Sequence, residues 1–179
     1  MLAAKDELDV TIFRPSVIFG LGDSFLSMFA ATLKKFPFFP LGFGHARFQP
    51  VWVADVADAF VDSLADTDTY GQVYDLVGPK IYTLRELVDY TAELCRSKAS
   101  IISLSDGLAY LQAGLMWLAP NPMLLPDNLR SMEKDSVGAP GAQAPANWQP
   151  TALESIAPSY IALNTPKGKV DSFRFRAGR

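Results

Sequence analysis

Two glycine pairs are the parts of this chain that come nearest to a phosphate-binding loop. They are Gly20-Leu21-Gly22 and Gly42-Phe43-Gly44. A dinucleotide-binding loop needs a further glycine three residues on, between a first strand and a helix. Position 25 is phenylalanine and position 47 is arginine. Neither pair therefore completes the motif, and we expect no phosphate-cradling loop in this chain.

The remaining candidates for chemistry are few. The 179 residues include one histidine, His45, and one cysteine, Cys95. This composition excludes an internal disulfide, a cysteine-rich zinc site and a site with several histidine ligands, so we predict no metal centre. The formal net charge of −3 gives no reason to expect nucleic acid. No apolar stretch reaches the ~20 residues that a transmembrane helix needs.

The element that could position a ligand is the stretch Asp9–Asp23, DVTIFRPSVIFGLGD. Its first apolar run, Val10–Phe13, has the β-branched and aromatic composition of a buried strand, and Pro15 is expected to end that strand or to sit at a bulge. Buried strands of α/β sheets present ligand-contacting residues at their carboxyl ends. Residues 15–20 are therefore candidates to face a ligand. On pattern alone, a core strand followed by a turn is the better interpretation.

Helices are predicted at three points from capping patterns. Asp23 or Ser24 is expected to cap a helix that ends at Lys34-Lys35, and Asp55 to cap a second one. The second helix has an apolar stripe made of Val56, Ala59, Phe60 and Leu64. Thr83 and Glu86 form a capping box for the third helix.

The segment from Phe36 to Gly44, FPFFPLGFG, is predicted to be an aromatic loop. We favour a hydrophobic flap packed on the core, with a lid over a ligand pocket as the alternative. Further on, Ser100–Leu104 is predicted to be an edge strand.

The carboxyl-terminal region changes in character at residue 137. Residues 137–150 are rich in glycine, proline and alanine and predict a mostly extended or mobile linker. A short helix is expected over 151–162, with Thr151 as its cap and Glu154 at the capping-box position. The tail from Lys167 is basic; a solvated end is favoured over contact with an acidic partner or an anionic membrane.

Four stretches together resemble a known family. The runs TIFRPSVIFG, RFQPVWVADVADAF, VYDLVGP and YTLRELVDY are similar to the carboxyl-terminal half of an extended or atypical short-chain dehydrogenase/reductase, of the NAD-dependent epimerase/dehydratase type. Within that superfamily the chain most resembles the nucleotide-binding accessory subunits of respiratory complex I and their bacterial relatives. This branch rests on residues 46–59 and on Asp127–Ser131, DNLRS.

The resemblance implies an α/β fold: a partial, Rossmann-like carboxyl-terminal half with a small substrate-side region. It divides the chain into residues 1–136, part of an NAD(P)-binding domain; 137–150, the linker; and 151–179, a closing helix and basic tail. The cofactor-cradling half is expected to be missing. A split gene, a truncated reading frame or a mis-assigned start would each explain this.

Site residues can be carried over from the family by position. Pro15, Ser16 and Val17 correspond to residues that lie against the nicotinamide end of the cofactor. Arg47, with Gln49 nearby, corresponds to a residue that faces the second ligand or its phosphate, although a plain surface arginine is an equally good interpretation. The family's reductases use a tyrosine with a lysine four residues later. None of the six tyrosines here has such a lysine, so we expect no catalytic residue.

Three functions follow from these observations. The first is a non-catalytic, NAD(P)-binding-type accessory or assembly subunit of a complex I-like protein. The second is a truncated NAD-dependent sugar epimerase or reductase, and the third is an α/β interaction module without a ligand. The first implies weak or absent NAD(P)H binding by this chain alone, protein partners or a missing amino-terminal half, and a cytoplasmic location, peripheral on the inner face of an energy-transducing membrane. Self-association through an open strand edge is also expected, with four exposed apolar residues: Val10, Ile12, Val17 and Ile18.

Overall fold

The computed structural model describes residues 9–105, 107–108, 110 and 135–162. The basic tail from Lys167 and the DNLRS stretch lie outside the described residues. Within them, the strands are β1 (Ile12–Pro15), β2 (Ile18–Phe19), β3 (Phe38–Leu41), β4 (Arg47–Phe48), β5 (Val51–Trp52), β6 (Val73–Leu76), β7 (Tyr82–Thr83) and β8 (Ser100–Ser103). The helices are α1 (Phe25–Lys35), α2 (Val53–Ala65), α3 (Leu84–Leu94) and α4 (Leu153–Ile161).

Parallel pairing dominates the described strands. The pairs β1–β6, β2–β5 and β3–β8 are parallel, and β4–β7 is antiparallel. Parallel pairs need crossover connections, which helices usually supply. Here α1 lies between the paired strands β2 and β5 in the chain. The mixed α/β class is thus the one that the sequence predicts.

The strand β1 ends at Pro15, as the sequence predicts. The amides of Ile12 and Ser16 donate to the carbonyls of Gln72 and Leu76, both at 3.0 Å. The main-chain N–H groups of even-numbered residues in β1 therefore point to β6. The N–H that Pro15 lacks would have pointed to the other edge. Proline is tolerated at such an unpaired edge. Within the described residues, no strand pairs with that edge.

The prediction of a loop over residues 36–44 is wrong for its centre, which forms β3. The carbonyls of Pro37 and Leu41 accept from the amides of Ser100 and Leu104, so Pro40 points its nitrogen away from β8. The predicted packing on the core is confirmed for Leu41 and Phe43, which are buried. The predicted strand near Ser100 is also confirmed.

Helix caps follow the sequence only in part. The Thr83–Glu86 capping box is present, and Asp23 accepts from the amide of Ser27 at the start of α1 at 3.0 Å. Asp55 does not cap α2, because it lies inside the first turn, after the N-cap residue Trp52. Thr151 does not cap α4 either.

Asp55 and Thr151 instead bind each other across the fold. The carboxylate of Asp55 accepts from the amide of Thr151 at 2.6 Å and from its hydroxyl at 3.0 Å. This contact ties the first turn of α2 to the chain that leads into α4. In addition, Glu154 accepts from the hydroxyl of Tyr82 at 2.7 Å.

Two buried clusters hold these elements together. The larger one joins α1, α3 and α4 through residues such as Phe19, Leu87 and Ala157, which are fully buried. The smaller one lies under α2 and includes Val51 and Leu76. Of the predicted α2 stripe, Val56 and Ala59 are buried, while Phe60 and Leu64 are exposed.

Candidate functional site

The carboxyl end of β1 is occupied by contacts from the chain itself. The hydroxyl of Ser16 donates to the carbonyl of Ser136 at 2.5 Å and lies 3.0 Å from the Ser136 hydroxyl. The carbonyl of Val17 accepts from the amide of Val51 at 3.0 Å. Pro15 lies beside Ser16 and lines a shallow cavity. The hydroxyl of Ser16 is therefore already paired with Ser136.

Gln49, which lies between β4 and β5, belongs to the same hydrogen-bond network. Its side-chain amide donates to the carbonyl of Gly78 at 2.7 Å, and its side-chain oxygen accepts from the amide of Gly138 at 3.1 Å. Its main-chain amide donates to the carbonyl of Ser136 at 2.9 Å. Gln49 therefore fixes residues 136–138 against the turn at Gly78.

Arg47 is half-exposed and pairs with a carboxylate. Its Nε and Nη2 lie 2.9 and 2.7 Å from Oδ2 of Asp135, and its main-chain amide donates to Oδ1 at 2.9 Å. These hydrogen bonds hold the pKa of Asp135 below its usual value. An arginine that faced a phosphate in this arrangement would first have to leave Asp135.

A second ion pair at this position was not anticipated from the sequence. Arg14 and Asp75 are register partners in β1 and β6, and Nε of Arg14 lies 2.7 Å from Oδ1 of Asp75. The other oxygen of Asp75 accepts from the amide of Ala139 at 3.0 Å. The available signal was a charged residue in each of two apolar strands, because a buried charge needs a partner.

The structure thus brings the predicted site residues together around residues 135–139. Ser16 and Gln49 both bind this segment directly, and Arg47 binds its first residue. A cavity of about 270 Å³ lies beside Ser16 and this segment, and neither Arg47 nor Gln49 lines it. Its lining consists of Arg14, Pro15, Ser16, Asp75, Val77, Asp135, Ser136, Val137 and Ala139. Contact with a nicotinamide ring or a phosphate by these residues remains a prediction.

The first glycine pair is arranged around a carboxylate. Gly22 has a φ of 88°, in the left-handed region that glycine adopts readily. The amide of Gly20 donates to Asp23 Oδ2 at 3.2 Å, and the hydroxyl of Tyr160 donates to the same oxygen at 2.6 Å. A phosphate at the start of α1 would meet this carboxylate, so the loop does not suit an anion.

Three buried or half-buried tyrosines, Tyr82, Tyr90 and Tyr160, are held in the protonated form. Burial and the hydrogen bond to Glu154 raise the pKa of Tyr82, and burial and Asp23 raise that of Tyr160. Burial raises the pKa of Tyr90 to about 12. Proton transfer near neutral pH needs a pKa that is shifted the other way. These phenols are therefore poorly suited to acid–base chemistry.

A second cavity, of about 400 Å³, lies beside α2. Five aspartates line it, together with aromatic residues such as Phe13 and Trp148; the aspartates are Asp55, Asp58, Asp62, Asp66 and Asp68. This concentration of negative charge disfavours a pyrophosphate. Among the described residues, no cluster of three metal-ligating side chains has the geometry to hold an ion.

Comparison with solved structures establishes the class of the fold. The chain superposes on dTDP-glucose 4,6-dehydratase from Streptomyces venezuelae, with NAD and TYD bound, at a TM-score of 0.61 and 16% identity, over 94% of this chain and 48% of that one. UDP-glucose 4-epimerase from Thermotoga maritima gives a TM-score of 0.57 and 13% identity over 91% and 46%. The fold is thus Rossmann-like, as in extended short-chain dehydrogenases/reductases, and the predicted fold class is confirmed.

Sequence relatives define the branch more narrowly. The chain is 36% identical over 107 residues to NADH dehydrogenase (ubiquinone) 1 alpha subcomplex subunit 9, mitochondrial, from Arabidopsis thaliana, covering 59% of this chain and 27% of the relative. The Dictyostelium discoideum subunit is 28% identical over 137 residues, which are 74% and 38% of the two chains, and the Mus musculus subunit is 40% identical over 84 residues, 46% and 22%. No family model matches the chain.

The predicted resemblance to complex I accessory subunits is therefore confirmed. The matched region spans only between about a fifth and two fifths of the length of these relatives, with shares of 22, 27 and 38%. In the described part of the chain, no helix combines the length and hydrophobicity needed to cross a membrane.

Proposed function

We propose that this chain is a non-catalytic accessory or assembly subunit, or part of one, in a respiratory NADH:ubiquinone oxidoreductase-like complex. The observation that carries the proposal is the similarity to alpha subcomplex subunit 9 in a plant, an amoeba and a mammal. Its partners would be other subunits of the complex, or an amino-terminal half. Its location would be peripheral, on the inner face of the energy-transducing membrane.

The geometry at the end of β1 supports a structural role over a catalytic one. Ser16, Gln49 and Arg47 spend their hydrogen-bonding groups on residues 135–138 of the same chain. These contacts connect the ends of β1 and β4 through one segment of the same chain.

We therefore expect this chain alone to bind NAD(P)H weakly or not at all. Pro15, Ser16 and Val17 would provide one wall against a nicotinamide, and Arg47 and Gln49 a second side. Pyrophosphate contacts would have to come from elsewhere, because Asp23 lies at the start of α1 and the aspartates of α2 repel anions.

We expect no turnover when the purified chain is given NADH or NADPH together with ketones, alcohols or sugar nucleotides. The reason is the missing tyrosine–lysine pair and the raised pKa of Tyr82, Tyr90 and Tyr160. Absorbance of the reduced cofactor is the readout, with a heat-denatured sample as the control. Turnover well above that control would favour the alternative function, a truncated NAD-dependent sugar epimerase or reductase.

Calorimetry on the same sample should detect weak binding of NADH or NADPH, or none. Micromolar or tighter affinity would contradict this part of the proposal. If weak binding is seen, Ser16→Trp locates it, because the indole would fill the cavity beside Arg14 and Asp75. Ser105→Trp is the matched control, since Ser105 is exposed and does not line that cavity.

A further inference from the structure

One surface of the described chain combines several cations with exposed aromatic rings. We call it the basic–aromatic surface and define it by Lys34, Lys35, Phe36, Phe38, Arg96 and Lys98. The four cations, with Phe36, border an open groove of about 430 Å³ that no carboxylate lines. The whole chain carries a net charge of −3, so this concentration of positive charge is a local feature.

The elements beneath this surface hold it in one arrangement. The hydroxyl of Ser97, just after α3, donates to the carbonyl of Leu33 in the last turn of α1 at 2.5 Å. The same hydroxyl accepts from the amide of Ala99 at 3.1 Å, and Ser100 donates to Pro37 at 2.9 Å where β8 meets β3. The ends of α1 and α3 and the start of the β3–β8 pair thus place all the cations together.

The cations on this surface are not neutralised by described carboxylates. None of the four takes part in an ion pair among the residues that the structure describes. The ammonium of Lys35 lies 5.4 Å from the ring centroid of Phe36. Their charge is therefore available to an external partner.

The apolar residues on this surface are exposed because of the strand alternation in β3 and β8. Phe39 and Leu41 face the core, which turns Phe38 outward with 60% of its surface accessible. Ile102, on the outer face of β8 opposite Pro40, is 48% exposed, and Phe36 is 45% exposed. Apolar area of this kind beside cations is typical of an interaction site.

We propose that the basic–aromatic surface docks on an anionic phospholipid bilayer. Lysine and arginine near a negatively charged leaflet are attracted to its headgroups, and aromatic rings enter the interfacial region. Protein interfaces usually have a charge-depleted apolar core with a polar rim. Here four of the six defining residues are cations, and all four border the groove. The surface therefore has no charge-depleted core, which favours a lipid surface over an acidic protein.

This inference extends the peripheral location proposed above and names the surface responsible. Flotation of the full chain with lipid vesicles tests it. Vesicles of phosphatidylcholine alone should recover little protein, and vesicles with a third of phosphatidylglycerol should recover at least tenfold more. Salt should reverse the binding, because exposed charges are screened. The isolated chain is used, so the result is independent of whether it joins a respiratory complex.

Two variants and a matched control locate the contact. Lys35→Glu/Lys98→Glu and Phe36→Ser/Phe38→Ser should each weaken binding at least fivefold, with circular dichroism unchanged because all four side chains are exposed. Lys167→Glu/Lys169→Glu makes the same charge change in the basic tail and should retain most of the binding.

Three results would overturn the proposal. The first is equal recovery on neutral and anionic vesicles, and the second is a loss that follows the tail variant rather than the surface variants. The third is failure to float while the chain is retained on immobilised polyglutamate, which would assign the surface to an acidic protein.

Discussion

Replacing Gly78 with alanine is expected to unfold the protein or leave it insoluble. A Cβ at this position would lie 1.8 Å from the carbonyl oxygen and 2.9 Å from the carbonyl carbon of Pro50. Both are main-chain atoms, so no side chain can move aside. Overpacking ordinarily costs about 1–3 kcal/mol, and a clash with the main chain should cost at least the upper end of that range.

The contact at Gly78 also supports the candidate site, because Gln49 binds both its amide and its carbonyl. Urea denaturation followed by circular dichroism measures the loss. Gly138→Ala is the matched control: its Cβ would lie 3.5 Å from Val77, an ordinary contact, so stability should change by less than about 1 kcal/mol. Equal stability of the Gly78→Ala and wild-type proteins would show that Gly78 and Pro50 are not so closely packed.

The isolated chain is expected to self-associate or to require a partner. The outer edge of β1 has no strand neighbour in the described chain, and an unpaired edge is a template for another chain. The helix α2 also carries exposed apolar side chains: Phe60, Val61 and Leu64 are 50, 63 and 83% exposed. Phe60 packs on Phe13 of β1, with ring centroids 4.6 Å apart, so this face of α2 adjoins β1.

The structure corrects the set of residues that the sequence predicted to be exposed. Ile18 is exposed, as predicted, but Val10, Ile12 and Val17 are half-buried. Val17 is shielded because it packs against the larger buried cluster. Part of the exposed apolar area of the described residues belongs to α2 instead.

Sedimentation velocity at low micromolar concentration tests the association. We expect dimers or larger species, and Val61→Lys/Leu64→Lys should shift the distribution towards monomer. Ile81→Lys replaces an exposed isoleucine outside this surface and should leave the distribution unchanged. A monodisperse wild-type monomer that unfolds cooperatively would contradict the prediction.

Local sequence was sufficient for the elements that short-range chemistry determines. The Thr83–Glu86 box depends on residues three positions apart in the chain, and it is present. The family resemblance was equally accessible, because the RPSVIFG stretch and its neighbours are contiguous. These features needed no knowledge of distant contacts.

The errors arose where a distant residue decides the outcome. Asp55 has the sequence context of a cap, but its carboxylate accepts instead from the amide of Thr151, 96 positions away. The two prolines near Phe38 predicted a loop, yet β8 pairs with the odd-numbered residues and leaves Pro40 free. Long-range pairing of this kind has no local signature.

The contacts that surround the candidate site residues had no signal in the sequence. Ser16, Arg47 and Gln49 bind one segment of the chain, and their contact with a cofactor or a second ligand stays a prediction. The segment that binds them begins at Asp135, 88 positions after Arg47, and its residues 137–139 belong to the stretch that the composition predicted to be a linker. Composition rich in glycine, proline and alanine says little about where such a segment packs.

Native electrophoresis of respiratory membranes tests the central claim most directly. The chain carries a carboxyl-terminal tag in its own host, the membranes are solubilised in mild detergent, and the gel is stained for NADH oxidation. The account predicts that the tagged chain co-migrates with the NADH-oxidising complex and that loss of the chain reduces the amount of assembled complex. A chain that migrates only as a free species, with the complex unchanged in its absence, would contradict the proposed function.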